Sequence, residues 1–325
     1  MSNYYPPFTI TPQIINLVSQ ISEQLGRLTH LSDELNLNLR RINRIRTIHG
    51  SLAIEGNTLS EQQITAVLDG KHVIAPPREI QEVRNAMLAY DGLKRWQPAN
   101  EQHLLEAHQI LMTGLIDECG TYRQSGVGVM SGKTVVHMAP PAKRVPILMD
   151  DLLQWVKSSD HHPLILGAVF HYEFEFIHPF ADGNGRMGRL WQSLILKQWH
   201  PLFADLPIES LIHKEQKNYY QALQNATNQS DSACFIEFIL TLIHHACDGG
   251  ISGGISGGIN LSEIEQSILS EIKHNPQITH AALAKKTHKS LRTVERHIKK
   301  LRDKKIIQRE GSNKTGFWCI KETAD

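Results

Sequence analysis

Residues 178–189, His178-Pro179-Phe180-Ala181-Asp182-Gly183-Asn184-Gly185-Arg186-Met187-Gly188-Arg189, constrain the fold of this chain more than any other stretch. They lie between two apolar segments that both read as helices: Pro163 to Ile177, with Leu164, Ile165, Leu166, Val169 and Phe170, and the segment carrying Leu190, Trp191, Leu194, Ile195 and Leu196. No helix interior would choose the residues between them, so the chain must run helix, polar loop, helix. Gly183 and Gly185 let backbone N–H groups approach an anion closely. The helix opening near Arg186 adds its own unpaired N–H groups and the positive end of its dipole. Together these read as a phosphate cradle.

The charged residues around that cradle match its chemistry. Arg186 and Arg189 suit phosphate oxygens, Asp182 suits a divalent cation, and His178 is the base that titrates near neutrality. Asp182-Gly183-Asn184-Gly185 also looks like the start of a calcium loop, but Arg186 stands where an oxygen ligand should be and Met187 where the turn glycine should be, which excludes an EF-hand.

This stretch resembles the signature of the Fic family, H-x-F-x-[DE]-G-N-G-R-x-x-R, with His178, Phe180, Asp182, Gly183, Asn184, Gly185, Arg186 and Arg189 filling every fixed position. The resemblance implies an enzyme that moves AMP from ATP to a Ser, Thr or Tyr hydroxyl of a target protein, or of the chain itself. In that reading His178 is the base and Asp182 holds Mg²⁺. The Gly183 to Gly185 backbone, with Asn184, faces the α-phosphate; Arg186 and Arg189 position the β- and γ-phosphates; Met187 and Gly188 belong to the same nucleotide-binding stretch. The implied fold is mostly α, a Fic-type helical core with a β-hairpin flap.

A length of 325 residues suits one large domain and a small one, and 41% hydrophobic residues suffices for a core. The formal net charge of +1 favours no class of partner. Cys119, Cys234, Cys247 and Cys319 stand singly, so neither a zinc site nor a disulfide framework is indicated and a reducing compartment fits best. Met1 to Phe8 lacks the cationic start and apolar run of a secretory signal, and the apolar run at Phe235 to Ile243 is broken by Glu237. The expectation is a soluble cytoplasmic protein.

Residues 1–100 read as an N-terminal helical region, 101–248 as the catalytic core, 249–260 as a linker and 261–325 as a second domain. Thr11-Pro12 opens a first helix with Ile14, Ile15, Val18, Ile21, Leu25 and Leu28 on one face. A second, at about 33–56, buries Leu35, Leu39, Ile42, Ile45 and Ile48 and turns a basic side to solvent. Ser51 and Glu55 share a face near its end, and Gly56 stops it. Ser51-x-x-x-Glu55-Gly56 resembles the inhibitory motif of N-terminal-class Fic proteins, which implies that Glu55 pairs with Arg189 and denies that guanidinium to the γ-phosphate. Ser60 to Gln63 is a capping box. Val127, Val129, a turn at Ser131-Gly132-Lys133, Val135 and Val136 read as a β-hairpin. The resemblance makes it the flap over nucleotide and target, with Val135, Val136, His137 and Met138 as contact candidates. It likewise makes Tyr219 and Tyr220 candidates beside the nucleotide, while Thr227, where several relatives have asparagine, departs from the pattern.

The Gly-Gly-Ile-Ser repeat from Gly249 to Ile259 cannot build a core and reads as the linker. Beyond it, Ser262, Thr279 and Ser290 each cap a helix, and two short apolar strands flank Gly311-Ser312-Asn313. This resembles a winged helix-turn-helix whose third helix offers Arg292, Arg296, Lys299 and Lys300 to DNA. Winged helices also bind proteins, and that alternative stays open, as does a homodimer. Two rival readings of the core are removal of AMP from a target, with Glu55 aligning a water, and a DNA-binding regulator whose core senses nucleotide.

Overall fold

Amphipathic spacing builds the first of two units, Met1–Gly250 and Ile251–Asp325, in the computed structural model, which describes residues 4–32, 37–126, 128–131, 134–254, 263–287, 289–303, 306–310 and 316–320. Helix α1 (Pro12–Ser32) starts where the Thr11 hydroxyl accepts the Ile14 N–H at 3.2 Å. It buries Ile14, Leu17, Ile21, Leu25 and Leu28, a run of three- and four-residue steps. Ile15, expected on that face, is 59% exposed because it sits one residue, about 100°, round the helix. Helix α2 (Leu37–Ile54) buries Ile45, Ile48, Leu52 and Ser51. It ends at Ile54, short of the expected 56, since Gly56 at φ 91° turns the chain out of the helix; residues 33–36, Leu35 among them, lie outside the described residues.

Helix α3 (Glu61–Leu68) opens on the expected capping box, and α4 (Pro77–Gly92) and α5 (Glu101–Met112) follow. Strands β1 (Gly128–Ser131) and β2 (Thr134–Met138) pair antiparallel with Val129 opposite His137 and an irregularity between Val129 and Met130. After α6 (Val145–Ser158) come α7 (Pro163–Ile177) and α8 (Asn184–Trp199), the helices on either side of the cradle. Leu164, Val169, Phe170 and Phe174 of α7 and Met187, Leu190, Trp191 and Leu194 of α8 are fully buried. At about 2 kcal/mol for each large apolar side chain, this pair anchors the loop between them. Helices α9 (Ile208–Lys214), α10 (Gln216–Gln229) and α11 (Ala233–Gly254) complete the unit. The division between the two units falls at Gly250, inside the expected 249–260 linker, and residues 249–254 continue α11, because adding a turn to a formed helix gains one hydrogen bond per residue without a new nucleus. Residues 255–262 lie outside the described ones.

The second unit consists of α12 (Glu263–His274), α13 (His280–Lys286), α14 (Leu291–Asp303) and the antiparallel strands β3 (Ile307–Glu310) and β4 (Phe317–Ile320). Ile268, Ile272, Leu283, Val294, Ile298, Leu301 and Trp318 form its core. Thr279 caps α13 through the Ala282 N–H, and Ser290 caps α14 through the Thr293 N–H, each at 3.2 Å; Ser262 lies outside the described residues. Arg292, Arg296, Lys299 and Lys300 are exposed on α14. No helix among the described residues is long and apolar enough to cross a membrane.

Candidate active site

Helix α7 ends on His178 in the left-handed conformation, φ 51° and ψ 62°, with its N–H on the Phe174 carbonyl at 2.9 Å. Its Nδ1 faces the Glu175 carbonyl at 3.4 Å, and a proton held there puts the ring's lone pair on Nε2. The loop beyond is clamped by buried polar side chains. Asn184 accepts the Phe180 N–H at 2.8 Å and donates to the Phe180 carbonyl at 2.9 Å. His108 stacks on Phe180, 3.6 Å between centroids, and donates Nε2–H to the Asp182 carbonyl at 3.0 Å while Nδ1 accepts the Gly120 N–H. Burial pushes the His108 pKa down to about 4, so the ring is a neutral strut.

Gly183 caps α8 at φ 82°, and a Cβ there would come within 2.6 Å of the Met112 sulfur. A side chain is excluded both by backbone conformation and by space. A Cβ on Gly185 would overlap the Glu55 Oε1 atom. The first turn of α8 therefore already has an anion lying on it, and that anion is Glu55. Arg189 donates Nη2–H to Glu55 Oε1 at 2.8 Å and to the Ser51 carbonyl at 3.0 Å, and Nε–H to the Ser51 hydroxyl at 3.3 Å. Burial works against the Arg189 charge, but the Glu55 carboxylate, with Tyr219 and Glu175 adding to it, holds the guanidinium pKa above its ordinary value. Glu55 itself is one-third exposed, at the open end of α2.

Several expected contacts fall elsewhere. The Asn184 side chain is spent on Phe180, so it offers an anion only its backbone N–H. Met187 is fully buried and its N–H already donates to the Gly183 carbonyl at 2.9 Å, while Gly188 packs against His171 and Glu175 in the second turn. Neither faces the cradle, because only the first turn of a helix has unspent N–H groups. Tyr219 is buried with its hydroxyl donating to His171 Nε2 at 3.0 Å, whereas Tyr220 is 46% exposed. Arg186 is buried between Glu82 at 3.7 Å and Asp182 at 3.5 Å. Val135, Val136, His137 and Met138 are placed along β2, and their side chains lie outside the described part.

Residues the sequence reading missed also stand here. Glu175 is 14% exposed beside Arg189, His171 and His178, with one carboxylate oxygen lacking a hydrogen-bond partner among the described residues; the desolvation there raises its pKa to about 7. Arg78 of α4 faces Asp182 at 3.6 Å. Nothing in local spacing marks these: Glu175 sits three residues before His178, but its significance comes from α8 packing over it.

The profile of the Fic/DOC family matches residues 98–196, and that of a winged helix-turn-helix DNA-binding domain matches 261–308. A Fic family protein from Desulfovibrio desulfuricans is 44% identical with a TM-score of 0.76, the match covering 99% of this chain and 100% of that one. Fic-1 from C. elegans is 26% identical with a TM-score of 0.55, covering 74% of each chain. A relative from Aedes aegypti named protein adenylyltransferase Fic is 29% identical over 260 residues, which is 73% of this chain and 49% of that protein. The chain spans about half the length of the curated relatives it matches. An unbroken signature, a loop clamped between two buried helices and a match along the whole of a solved relative converge: the chain belongs to the Fic family.

Proposed function

We propose that the chain transfers AMP from ATP to a hydroxyl of a target protein and that Glu55 holds this activity down. The observation carrying the proposal is the Glu55 carboxylate on the first turn of α8, paired with Arg189: the site that would take a phosphate already binds an anion from its own chain. The target oxygen bonds to the α-phosphorus as the bond to the bridging oxygen of the β-phosphate breaks, and pyrophosphate leaves. His178 Nε2 takes the hydroxyl proton. First-turn N–H groups of α8 meet charge developing on the α-phosphate, and Arg189, freed from Glu55, holds the terminal phosphates in line. A carboxylate and a phosphate cannot share one guanidinium fork.

Asp182 fits a magnesium ion: its carboxylate is 46% exposed, and its Oδ2 faces Arg78 beyond hydrogen-bonding distance. Magnesium ordinarily sits on one or two carboxylates and completes its shell with phosphates and water. Bound there, Mg²⁺ supplies charge neutralisation to the phosphates.

The test is where the label goes. With Glu55→Gly protein, label on the α-phosphate of ATP is expected to become covalently attached to protein while label on the γ-phosphate does not. Attachment of the γ label, or of neither, overturns the reading. Release of AMP from a modified target, slowed by Glu55→Gln, would instead favour AMP removal.

The exposed basic face of α14 supports a second role, binding duplex DNA. Replacing Lys299 and Lys300 by Ala is expected to lower the slope of log affinity against log salt by about 2. An unchanged slope argues for a protein partner.

A further inference from the structure

Arg123 is 2% exposed, and among the described residues no carboxylate pairs with it. Every partner it has among the described residues is a backbone carbonyl. Nε–H donates to His178 at 2.7 Å, Nη1–H to Ser125 at 2.9 Å, and Nη2–H to Pro140 at 2.6 Å and to Ile177 at 3.3 Å. Its backbone N–H adds a bond to the Pro179 carbonyl at 3.0 Å. Burying a guanidinium is expensive unless its N–H groups are satisfied, and replacing such a group by apolar packing is often harmless to stability. What an apolar residue cannot do is hold two chain segments in register by their carbonyls.

One of the two segments carries His178, the base of the proposed transfer, and the other bounds the hairpin. Ile177 and His178 close α7, whose last carbonyls carry the negative end of the helix dipole, which explains a buried cation without a carboxylate. Ser125 and Pro140 bracket the hairpin of β1 and β2. His178 is non-glycine at φ 51°, a conformation costing about 1–2 kcal/mol, so its backbone must be held from outside. Its N–H is held by Phe174 and its carbonyl by Arg123.

We propose that Arg123 is a positioning residue that fixes the left-handed backbone of His178 and ties it to both ends of the hairpin, so that one side chain sets the aim of the imidazole and the seat of the target strand. The inference rests on the transfer reading above. Lysine keeps the charge but presents a single ammonium, which cannot span carbonyls of both segments.

The test compares Glu55→Gly with Glu55→Gly/Arg123→Lys. The second protein is expected to transfer α-phosphate label with kcat at least roughly tenfold lower, a loss of about 1.4 kcal/mol or more in transition-state stabilisation, while its Kd for ATP stays within about threefold. Hydrogen exchange is expected to speed up together in peptides covering 120–126 and 174–183. An unchanged kcat, a Kd that weakens in step with kcat, or loosening of one segment alone overturns the proposal. If Glu55→Gly itself transfers nothing, the transfer reading fails and the exchange result alone decides the coupling. If Arg123→Lys does not fold, the unaltered chain decides it: the amides of Arg123 and His178 must share one opening free energy, and protection differing more than about tenfold is against it.

Discussion

Replacing Glu55 by Gly is expected to raise transfer of α-phosphate label at least roughly tenfold, and adding His178→Ala is expected to remove roughly 10²–10⁴-fold of the transfer so released. The rise follows from competition for one cation. Arg189 is almost wholly buried, its Nη2 reaches Glu55 Oε1 at 2.8 Å, and that oxygen lies against Gly185 in the first turn of α8. ATP must displace the carboxylate or bind with its terminal phosphates unheld, and a misaligned triphosphate loses most of the benefit of in-line geometry. Removing Glu55 also leaves the buried Arg189 charge without its carboxylate, a destabilising change that is softened because Glu55 is one-third exposed and the Ser51 carbonyl and hydroxyl still hold Arg189. The variant should therefore melt lower than the unaltered protein without nucleotide and recover with saturating ATP. Labelling that does not rise in Glu55→Gly removes the inhibitory role. Labelling that survives in the double variant removes His178 as the base.

Glu175→Gln is expected to make stability less dependent on pH, in a direction that follows from burial. Burial raises the Glu175 pKa from the ordinary 4.5 to about 7, since Arg189 offsets the desolvation only in part and Glu55 adds to it. A carboxyl whose pKa is higher folded than unfolded favours the folded state when protonated. Its contribution is complete below about 4.5 and is lost as the pH rises through about 7. The loss comes to roughly 3 kcal/mol, or roughly 5–10 °C in Tm for a unit of this size. Glutamine imitates the protonated acid, so the two proteins should melt alike near pH 4.5 and separate by pH 8, with the variant higher. Glu173, also raised to about 7 by burial, titrates in the same window. Neutral His171, lowered to about 3 by burial, pulls the other way below 6.5. Only the difference between the two proteins isolates Glu175. Melting curves that stay parallel from pH 4.5 to 8 would show that the carboxyl is not held protonated.

Much of this molecule could be read one residue at a time. The helix, loop and helix around residue 178, the capping box at Ser60, the caps at Thr279 and Ser290 and the hairpin after Tyr122 follow from local chemistry: apolar spacing, proline at a first turn, a hydroxyl that satisfies a helix N–H. Errors arose where local rules leave a choice. Ile15 and Leu17 are both apolar, and only the packing of α1 selects Leu17 for the core. A Gly-Gly repeat is a fair linker by composition, yet its first turn continues a helix already formed.

For the site, the sequence determined which groups are present: a histidine, two glycines, two arginines, an aspartate, and a carboxylate carried far upstream at Glu55. Tertiary structure alone decided which of them are available. The side-chain partners of Tyr219 and Asn184 appear only in the fold, where His171 takes the Tyr219 hydroxyl and the Phe180 backbone takes the Asn184 amide. Arg123, His108 and Glu175 look ordinary until the fold surrounds them with carbonyls, an aromatic ring and a buried arginine. The physical reason is that burial makes every unpaired polar atom costly, so partners are assigned by what lies across the fold, and the spacing of residues along the chain carries no record of that.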